Sequence, residues 1–252
     1  VRKLLDLGAF VIILDNLSSG YTWNLPEDNN MLFVEGDVTS DIDLKRVFNE
    51  EPEIVFHLAA LPRVSFSIDN PMSADYANTH GTLSVLEASR QAGVKRVVFS
   101  CSSSIYGGIS EFPTPENVPP CPKSPYALHK QTGAEYCRLY RELHGLDTCS
   151  LVYFNVFVKY QRANSAYATV IPAFFEAGMN GTDCRVDGDG EQRRDFSHID
   201  NVVQANLLAA QHTDNLNGER FNIACGEHYS VNQVFDYVQH FLKQPLKRKD
   251  AP

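Results

Sequence analysis

The sequence lacks a long hydrophobic run, and it lacks cysteines in the paired spacing of a metal site. The apolar stretch 10–14 is only as long as a β-strand, whereas a helix that spans a bilayer needs about 20 apolar residues. The six cysteines are spaced widely and irregularly, which suits neither a zinc site nor a disulfide scaffold. We therefore expect no membrane insertion, no metal and a reducing, cytoplasmic compartment.

Basic residues are also scarce, since the formal net charge is −9 and the isoelectric point is about 5.3. This balance disfavours a nucleic-acid partner. The one basic cluster, 247–249, is predicted to be a solvated turn. The chain contains no internal repeat or low-complexity segment, and its 43% hydrophobic and 21% charged residues are typical of a globular protein with a sizeable core.

Apolar, strand-like runs alternate with amphipathic helical stretches along the first part of the chain. This alternation predicts an α/β protein with a doubly wound parallel sheet, the Rossmann architecture. The predicted strands are 10–15, 31–35, 53–58, 96–101 and 148–154, and the predicted helices are 41–50, capped by Asp41, 69–92 and 124–144. Residues 1–8 resemble the last turns of a helix closed by glycine, so we expect a strand to be missing before them.

The pattern changes after residue 155, where glycines divide the chain into shorter pieces. We interpret residues 1–155 as the first domain and residues 156–252 as mostly a smaller lobe. The two are expected to be interleaved, because helix-like 201–211 and strand-like 220–224 have the pattern of elements that belong to the first domain.

Acidic or small residues follow the first three predicted strands. Asp15 could accept hydrogen bonds from the ribose of an adenine dinucleotide and would favour NAD over NADP, and Asp37 could meet the adenine edge. The small residues of 58–60 would let a dinucleotide approach closely. Taken singly, each feature is also explained by a turn carboxylate or by tight helix packing, and His57 is best interpreted as a buried, hydrogen-bonded histidine.

The most informative pattern joins Ser102, at the end of the fourth predicted strand, to Tyr126 and Lys130 in the next helix. Residues four apart share one helical face, so the ammonium could lower the pKa of the phenol from about 10 toward the working pH. With eleven tyrosines in the chain, this spacing alone could arise by chance. Its position one strand-to-helix unit after a serine-rich strand end makes it informative.

With these pieces in order, the chain resembles the extended short-chain dehydrogenase/reductases over essentially its whole length. Within them it is most similar to the UDP-glucose and UDP-N-acetylglucosamine 4-epimerases of the NAD-dependent epimerase/dehydratase family. The matching segments are 15–20, 36–38, 57–60, Asn78 with 81–82, 102–107, Tyr126 with Lys130, 153–157, 170–172, 188–190 and 194–196.

The resemblance implies roles for individual residues and makes the first domain NAD-binding and the lobe substrate-binding. The catalytic residues would be Ser102, Tyr126 and Lys130. NAD would be bound by Asp15, Asn16, Ser19, Gly20, Asp37, Val38, Leu58, Ala59, Ala60, Asn78, Tyr126, Lys130 and Phe154. The UDP-sugar would be bound by Ser102, Ser103, Ser104, Tyr126, Asn155, Val170 and Arg194. A homodimer is also implied, paired through helices 69–92 and 124–144 as a four-helix bundle.

The reaction that the resemblance favours is C4 epimerisation of a UDP-hexose or a UDP-N-acetylhexosamine through a transient 4-keto sugar. Dehydratases of the family usually carry an Asp-Glu pair where this chain has Ser103 and Ser104, and elimination needs that acid and base. The segments 164–172 and 203–210 look most like epimerases of UDP-N-acetylhexosamines. The alternatives are a dehydratase or decarboxylase of the same fold, a noncatalytic NAD-sensing protein, or an inactive fragment.

Three departures from the family's pattern bear on these expectations. The glycine-rich turn that holds the pyrophosphate is absent, since the chain begins inside the helix that would follow it. The family also continues beyond residue 252, and the segment 157–161 replaces a Gly-Pro-Arg-Gln type of sequence. We therefore expect an internal fragment whose own NAD binding and activity need testing.

Overall fold

The computed structural model describes residues 1–108, 112–159, 161 and 169–251. The chain divides into two compact units. The first comprises Val1–Val152 and Val203–Asn222, and the second comprises Tyr153–Val202 and Ile223–Pro252. Within the described residues, no helix is both long enough and apolar enough to cross a bilayer.

Twelve strands and nine α-helices are assigned within these residues. The strands are β1 (Val11–Asp15), β2 (Met31–Glu35), β3 (Ile54–His57), β4 (Arg96–Ser102), β5 (Asp147–Tyr153), β6 (Asn155–Phe157), β7 (Asp183–Asp187), β8 (Arg193–Arg194), β9 (Phe196–His198), β10 (Arg220–Ile223), β11 (Tyr229–Ser230) and β12 (Lys247–Ala251). The helices are α1 (Arg2–Asp6), α2 (Asp41–Phe48), α3 (Val64–Asp69), α4 (Pro71–Asp75), α5 (Gly81–Gln91), α6 (Pro125–His144), α7 (Val170–Asn180), α8 (Ile199–Gln211) and α9 (Val231–Leu242).

The strands of the first unit form two sheets. β1 and β2 pair in parallel, with Ile13 opposite Phe33. The other sheet has the order β10-β5-β4-β3, and β3 and β4 are parallel, with Phe56 opposite Val98. β4 and β5 are buried along almost their whole length, which explains why both appear in the sequence as continuous apolar runs. The predicted α/β fold with a parallel, Rossmann-like sheet is confirmed.

A buried ion pair joins β4 to β5. Arg96 Nε lies 2.5 Å from Asp147 Oδ2, and both side chains are more than nine-tenths buried. The guanidinium also donates hydrogen bonds to three main-chain carbonyls, those of Ala209, His212 and Asp214. The pair therefore connects two central strands to the end of α8 and the turn that follows it.

Two predictions about helices of the first unit are wrong. Asp41 does not cap α2; it is the first helical residue, and the cap is Ser40, whose Oγ accepts a hydrogen bond from Asp43 N. The single helix predicted over 69–92 is divided into α4, a π-helical turn at Tyr76–His80 and α5. Pro71 begins α4 at a break from α3, because proline suits a first helical turn and disfavours a helical residue before it.

The described part of the second unit contains three pairs of strands and two packed helices. β6 and β9 are parallel, β8 and β11 are antiparallel, and β7 and β12 are parallel. Helices α7 and α9 form the core of this unit, where the rings of Phe174 and Phe235 meet edge to face at 5.7 Å. The turn predicted at 247–249 is wrong, because these residues lie in β12 and pair with β7 through the main chain, which permits charged side chains on exposed strands.

Candidate active site

Tyr126 and Lys130 lie in the first turns of α6. The helix begins here because Ser124 Oγ accepts a hydrogen bond from Ala127 N and Pro125 occupies the first helical position. Tyr126 N donates to Ser67 Oγ at 3.0 Å, which attaches the start of α6 to α3. Both candidate side chains are buried, with Tyr126 9% exposed and Lys130 5% exposed.

The Lys130 side chain is directed at the end of β4. Its Nζ donates to the main-chain oxygen of Ser100 at 2.7 Å and lies 4.9 Å from the centre of the Phe99 ring. Burial disfavours the charged form and lowers the pKa of Lys130 to about 8. The pKa of this amine is thus closer to neutral pH than that of an ordinary lysine.

Burial, rather than the charge of the lysine, dominates the environment of the Tyr126 phenol. Burial raises the pKa of Tyr126 to about 12, and a hydrogen bond with the Ser102 side chain acts in the opposite direction. The expectation from sequence that the lysine holds the pKa of this phenol below its ordinary value is wrong for this arrangement. The physical reason is that the ammonium is engaged by the Ser100 carbonyl, so that desolvation dominates at the phenol.

Ser102 ends β4 and begins a short 3-10 turn, Ser103–Tyr106. Its Oγ accepts hydrogen bonds from Ser104 N at 3.3 Å and from Ser104 Oγ at 3.0 Å. Gly107 closes the turn with φ +66°, and a Cβ there would overlap the carbonyl of Cys121. Ser102 and Ser104 are therefore connected by hydrogen bonds at the carboxyl end of β4.

Asn78 lies in the π-helical turn and holds the segment that follows β3. Its Oδ1 accepts from Leu61 N at 2.7 Å, and its Nδ2 donates to Leu61 O at 3.1 Å. Single π turns often occur at functional sites. Through this pair of bonds, Asn78 fixes the main chain at the end of the segment 58–60. In that segment Leu58 is exposed, and Ala59 and Ala60 are half-buried.

A buried chain of hydrogen bonds holds the main-chain carbonyl of Asn78. Thr82 Oγ1 donates to Asn78 O at 2.6 Å, and His57 Nε2 lies 2.9 Å from the same Thr82 oxygen. Since a carbonyl can only accept, the threonine proton points at Asn78, and His57 must carry its proton on Nε2. Burial lowers the pKa of His57 to about 3, with the charge of Lys130 adding to the effect. His57 is thus a neutral donor, in agreement with its interpretation from sequence.

The candidate adenosine residues lie at the carboxyl ends of β1 and β2. Asp15 is exposed, and its Oδ1 accepts from Leu17 N at 2.7 Å. Asn16 Nδ2 donates to Asp37 Oδ2 at 2.7 Å. Burial acts to raise the pKa of Asp37, but hydrogen bonds from Thr39 and Asn16 outweigh it and keep the pKa below its ordinary value. Asp15, Asn16 and Asp37 therefore form one polar edge.

Small and exposed residues lie beside this polar edge. Ser19 is exposed and Gly20 is half-buried, and a Cβ on Gly20 would lie 3.8 Å from Asp15 Oδ1. Val38 packs on Gly81, where a Cβ would lie 2.9 Å from Val38 Cγ2. An exposed carboxylate beside a small residue fits the ribose of an adenine dinucleotide, and small residues after β3 fit its close approach.

The remaining predicted residues belong to the second unit. Asn155 is exposed, and its Nδ2 donates to Asp195 O at 2.8 Å. Phe154 N donates to Ile223 O. Val170 begins α7 and is half-buried, and Arg194 is exposed on β8, with Nη1 donating to Arg193 O at 2.7 Å. The 164–168 part of the segment that resembled N-acetylhexosamine epimerases falls outside the residues that the structure describes.

Three residues in these networks were missed by sequence reasoning: Ser67, Thr82 and Asp195. Thr82 and Asp195 stand inside segments that match the family, which was the available signal. Ser67 offers none, because a serine in a short helix has no pattern that indicates a distant partner. All three act through side-chain hydrogen bonds to the main chain of another segment or residue.

Residues 1–224 match the model of the NAD dependent epimerase/dehydratase family. UDP-glucose 4-epimerase of Mycolicibacterium smegmatis is 37% identical over 250 residues, which are 97% of this chain and 79% of that protein. The structure of UDP-glucose 4-epimerase from Thermotoga maritima with UDP-glucose has a TM-score of 0.92 and 36% identity, covering 100% of this chain and 81% of that one. UDP-N-acetylglucosamine 4-epimerase from Methanobrevibacter ruminantium has a TM-score of 0.89 and 36% identity, covering 96% and 78%.

Proposed function

Because this chain belongs to the NAD dependent epimerase/dehydratase family, we propose that it interconverts the C4 epimers of a UDP-hexose or a UDP-N-acetylhexosamine through a transient 4-keto sugar. The predicted family, its NAD cofactor and the isomerase class are confirmed by the family match and the relatives. The observation that carries the proposal is the placement of Ser102 at the end of β4, with Tyr126 and Lys130 buried in the first turns of α6 and the Lys130 amine bonded to Ser100 of the same strand.

The proposed reaction begins with proton transfer at the C4 hydroxyl. Tyr126, as phenolate, takes the hydroxyl proton, and Ser102 donates a hydrogen bond to the C4 oxygen as it becomes a carbonyl. In the structure the Lys130 ammonium is engaged by the Ser100 carbonyl, so in this proposal it supports the phenolate only after it turns from that carbonyl toward Tyr126. When the keto sugar is reduced on its other face, Tyr126 returns the proton, so that the protein ends unchanged.

NAD supplies a reversible hydride acceptor at C4 of the sugar. We assign its binding to the two strand ends and to the helix that carries Tyr126. Asp15 accepts hydrogen bonds from the adenosine ribose, Asp37 lies at the adenine side, and the main chain held by Asn78 forms the wall beyond β3. The full set proposed is Asp15, Asn16, Ser19, Gly20, Asp37, Val38, Leu58, Ala59, Ala60, Asn78, Tyr126, Lys130 and Phe154.

Epimerisation is favoured over dehydration by the residues that follow Ser102. Elimination of water from a sugar needs an acid and a base close to the reacting carbons. In this structure the next two side chains are the hydroxyls of Ser103 and Ser104, and Ser104 Oγ is directed at Ser102 Oγ at 3.0 Å. A serine hydroxyl at neutral pH is a poor proton acceptor, so the turn supports binding of the sugar rather than elimination.

The test is the Tyr126→Phe variant, assayed with UDP-glucose and UDP-N-acetylglucosamine by NMR and mass spectrometry of the products. Loss of the proton acceptor is expected to lower kcat by at least about 100-fold, while the affinity for the UDP-sugar is retained. Tyr136→Phe, a change to a tyrosine on the same helix, is the matched control and is expected to leave turnover unchanged.

Three outcomes would refute this assignment. Near-normal epimerisation by Tyr126→Phe would remove the proposed base. A wild-type product lighter than its substrate by water or carbon dioxide would indicate a dehydratase or a decarboxylase. Binding of NAD without turnover of any UDP-sugar by the wild-type protein would favour the sensing role.

We also propose a homodimer, paired through the segments 69–92 and 124–144, which the structure forms as α4, the π-helical turn, α5 and α6. These helices pack against one another within the first unit. They carry large apolar side chains that remain exposed, and such side chains are typical of a surface that another chain covers. The exposed fractions are 82% for Met72, 55% for Tyr76, 52% for Leu128 and 70% for Leu143.

A further inference from the structure

We infer that Asp195 is a positioning residue for the nucleotide end of the substrate, because it holds Asn155 and Arg194 in one place. The inference rests on the proposed function, in which those two residues bind the UDP part of the sugar nucleotide. Asp195 is the residue between β8 and β9, directly after Arg194. It belongs to none of the groups of cofactor, substrate or catalytic residues assigned above.

The Asp195 carboxylate is bound by the loop that follows β10. Oδ2 accepts from Gly226 N at 2.7 Å and from Cys225 N at 3.1 Å, and Oδ1 accepts from Cys225 N at 3.0 Å. Ser197 Oγ lies 3.4 Å from Oδ1. Two consecutive backbone N–H groups directed at one carboxylate form a strong, charge-assisted contact, so the position of Asp195 is set by a segment distant in sequence.

The main chain of Asp195 holds Asn155 in turn. Asn155 Nδ2 donates to Asp195 O at 2.8 Å, and Asn155 pairs with Phe196 where β6 and β9 run in parallel. The bond from Nδ2 to the Asp195 carbonyl therefore fixes the orientation of the Asn155 side-chain amide. Its Oδ1 remains an acceptor that can meet a donor group of a ligand.

Arg194 is fixed through the main chain on its other side. In β8 it pairs with Tyr229 of β11, and its exposed guanidinium donates through Nη1 to Arg193 O. A guanidinium carries five N–H donors in a planar fork that matches phosphate oxygens. Displacement of the Asp195 main chain would move both Arg194 and Asn155, which is the physical basis of the proposed positioning role.

Asp189 provides a matched comparison in the same unit. Its Oδ1 accepts from Glu191 N at 2.9 Å, a bond within its own turn, and no contact in the described chain joins its side chain to Asn155 or Arg194. A residue that only stabilises the second unit would resemble Asp189. Asp195 differs because its carboxylate and its carbonyl connect three separate segments.

The experiment compares the wild-type protein, Asp195→Asn, Asp189→Asn, Asn155→Ala and the double variant of Asp195 and Asn155. Calorimetry with UDP alone gives Kd, and epimerisation gives KM and kcat. Asp195→Asn keeps the side chain's size but replaces a charged acceptor with a neutral amide. We expect the Kd for UDP and the KM for the UDP-sugar to rise about tenfold, with kcat within about twofold of wild type.

The controls separate positioning from loss of fold. Asp189→Asn should leave the Kd for UDP unchanged, and circular dichroism should show folded protein for each variant. Because Asp195 acts through Asn155, the effects of Asp195→Asn and Asn155→Ala on the Kd should be less than additive. If Asp195→Asn fails to fold, Asn155→Ala tests the contact between Asn155 and the Asp195 carbonyl while the Asp195 carboxylate stays in place.

The inference is overturned if the wild-type protein binds UDP and Asp195→Asn binds it equally well. It is also overturned if the variant lowers kcat at unchanged KM, or if the two substitutions add independently. Failure of the wild-type protein to bind UDP would instead refute the proposed function itself, so the two failures are distinguishable.

Discussion

His57 should make the first unit less stable as the pH falls below neutral. Its pKa is about 3 in the folded protein because of burial and the nearby Lys130 charge, against an ordinary value of 6.5. Between these two values the unfolded chain binds a proton that the folded chain does not. Stability from this site is therefore fully present above pH 6.5 and is lost as the pH falls toward 3.

The size of this loss of stability follows from the difference between the pKa of His57 in the folded chain and in the unfolded chain. At pH 5, about 1.5 pH units below the ordinary pKa, protonation of the unfolded chain removes about 2 kcal/mol of unfolding free energy. His57→Gln removes the titrating ring, and its side-chain amide can still donate to Thr82. Between pH 7 and pH 5, the unfolding free energy of this variant should therefore fall by about 2 kcal/mol less than that of the wild-type protein.

The assay is equilibrium unfolding in urea, followed by circular dichroism at pH 7, 6 and 5. His212→Gln is the matched control, since the His212 side chain is exposed and its removal should leave the wild-type pH dependence in place. Equal losses for wild type and His57→Gln would refute the reasoning, because they would mean that His57 does not remain neutral in the folded chain.

Two further predictions concern packing and assembly. Arg96→Met would leave the Asp147 carboxylate buried without its ion partner. Measured by urea unfolding, the free energy of unfolding should therefore fall by about 3–5 kcal/mol. A loss of only about 1 kcal/mol, as for an exposed ion pair, would contradict this reasoning. Replacing Met72 and Leu128 together by Glu should convert the proposed dimer into a folded monomer, measured by light scattering and circular dichroism. A wild-type protein that is itself monomeric would contradict the proposed interface.

The elements of the first unit could be predicted where one local signal dominates. β2 lies at Met31–Glu35 as predicted, because a short apolar run between turn residues has one interpretation. α6 begins within one residue of its prediction, since Ser124 and Pro125 form a helix start that local chemistry defines. The strand formed by 247–249 could not be predicted, because it depends on main-chain pairing with β7 rather than on its own side chains.

The candidate site shows the same division. The sequence predicted that Ser102 lies near Tyr126, because parallel α/β topology brings the end of a strand close to the start of the next helix, and in the structure α6 packs against β4. The direction of the Tyr126 pKa could not be predicted, since it depends on burial and on where Lys130 points. The chain from His57 through Thr82 to Asn78 links residues 25 positions apart, and no spacing rule indicates such a contact.

The buried pair of Arg96 and Asp147 has a consequence for where the chain can be divided. The guanidinium donates to three main-chain carbonyls between residues 209 and 214, and Asp147 Oδ1 accepts from the N–H groups of Leu216 and Asn217. A polypeptide that ended before α8 would leave this buried pair without these hydrogen-bond partners. The first unit therefore completes its core only after the chain has passed through the second unit.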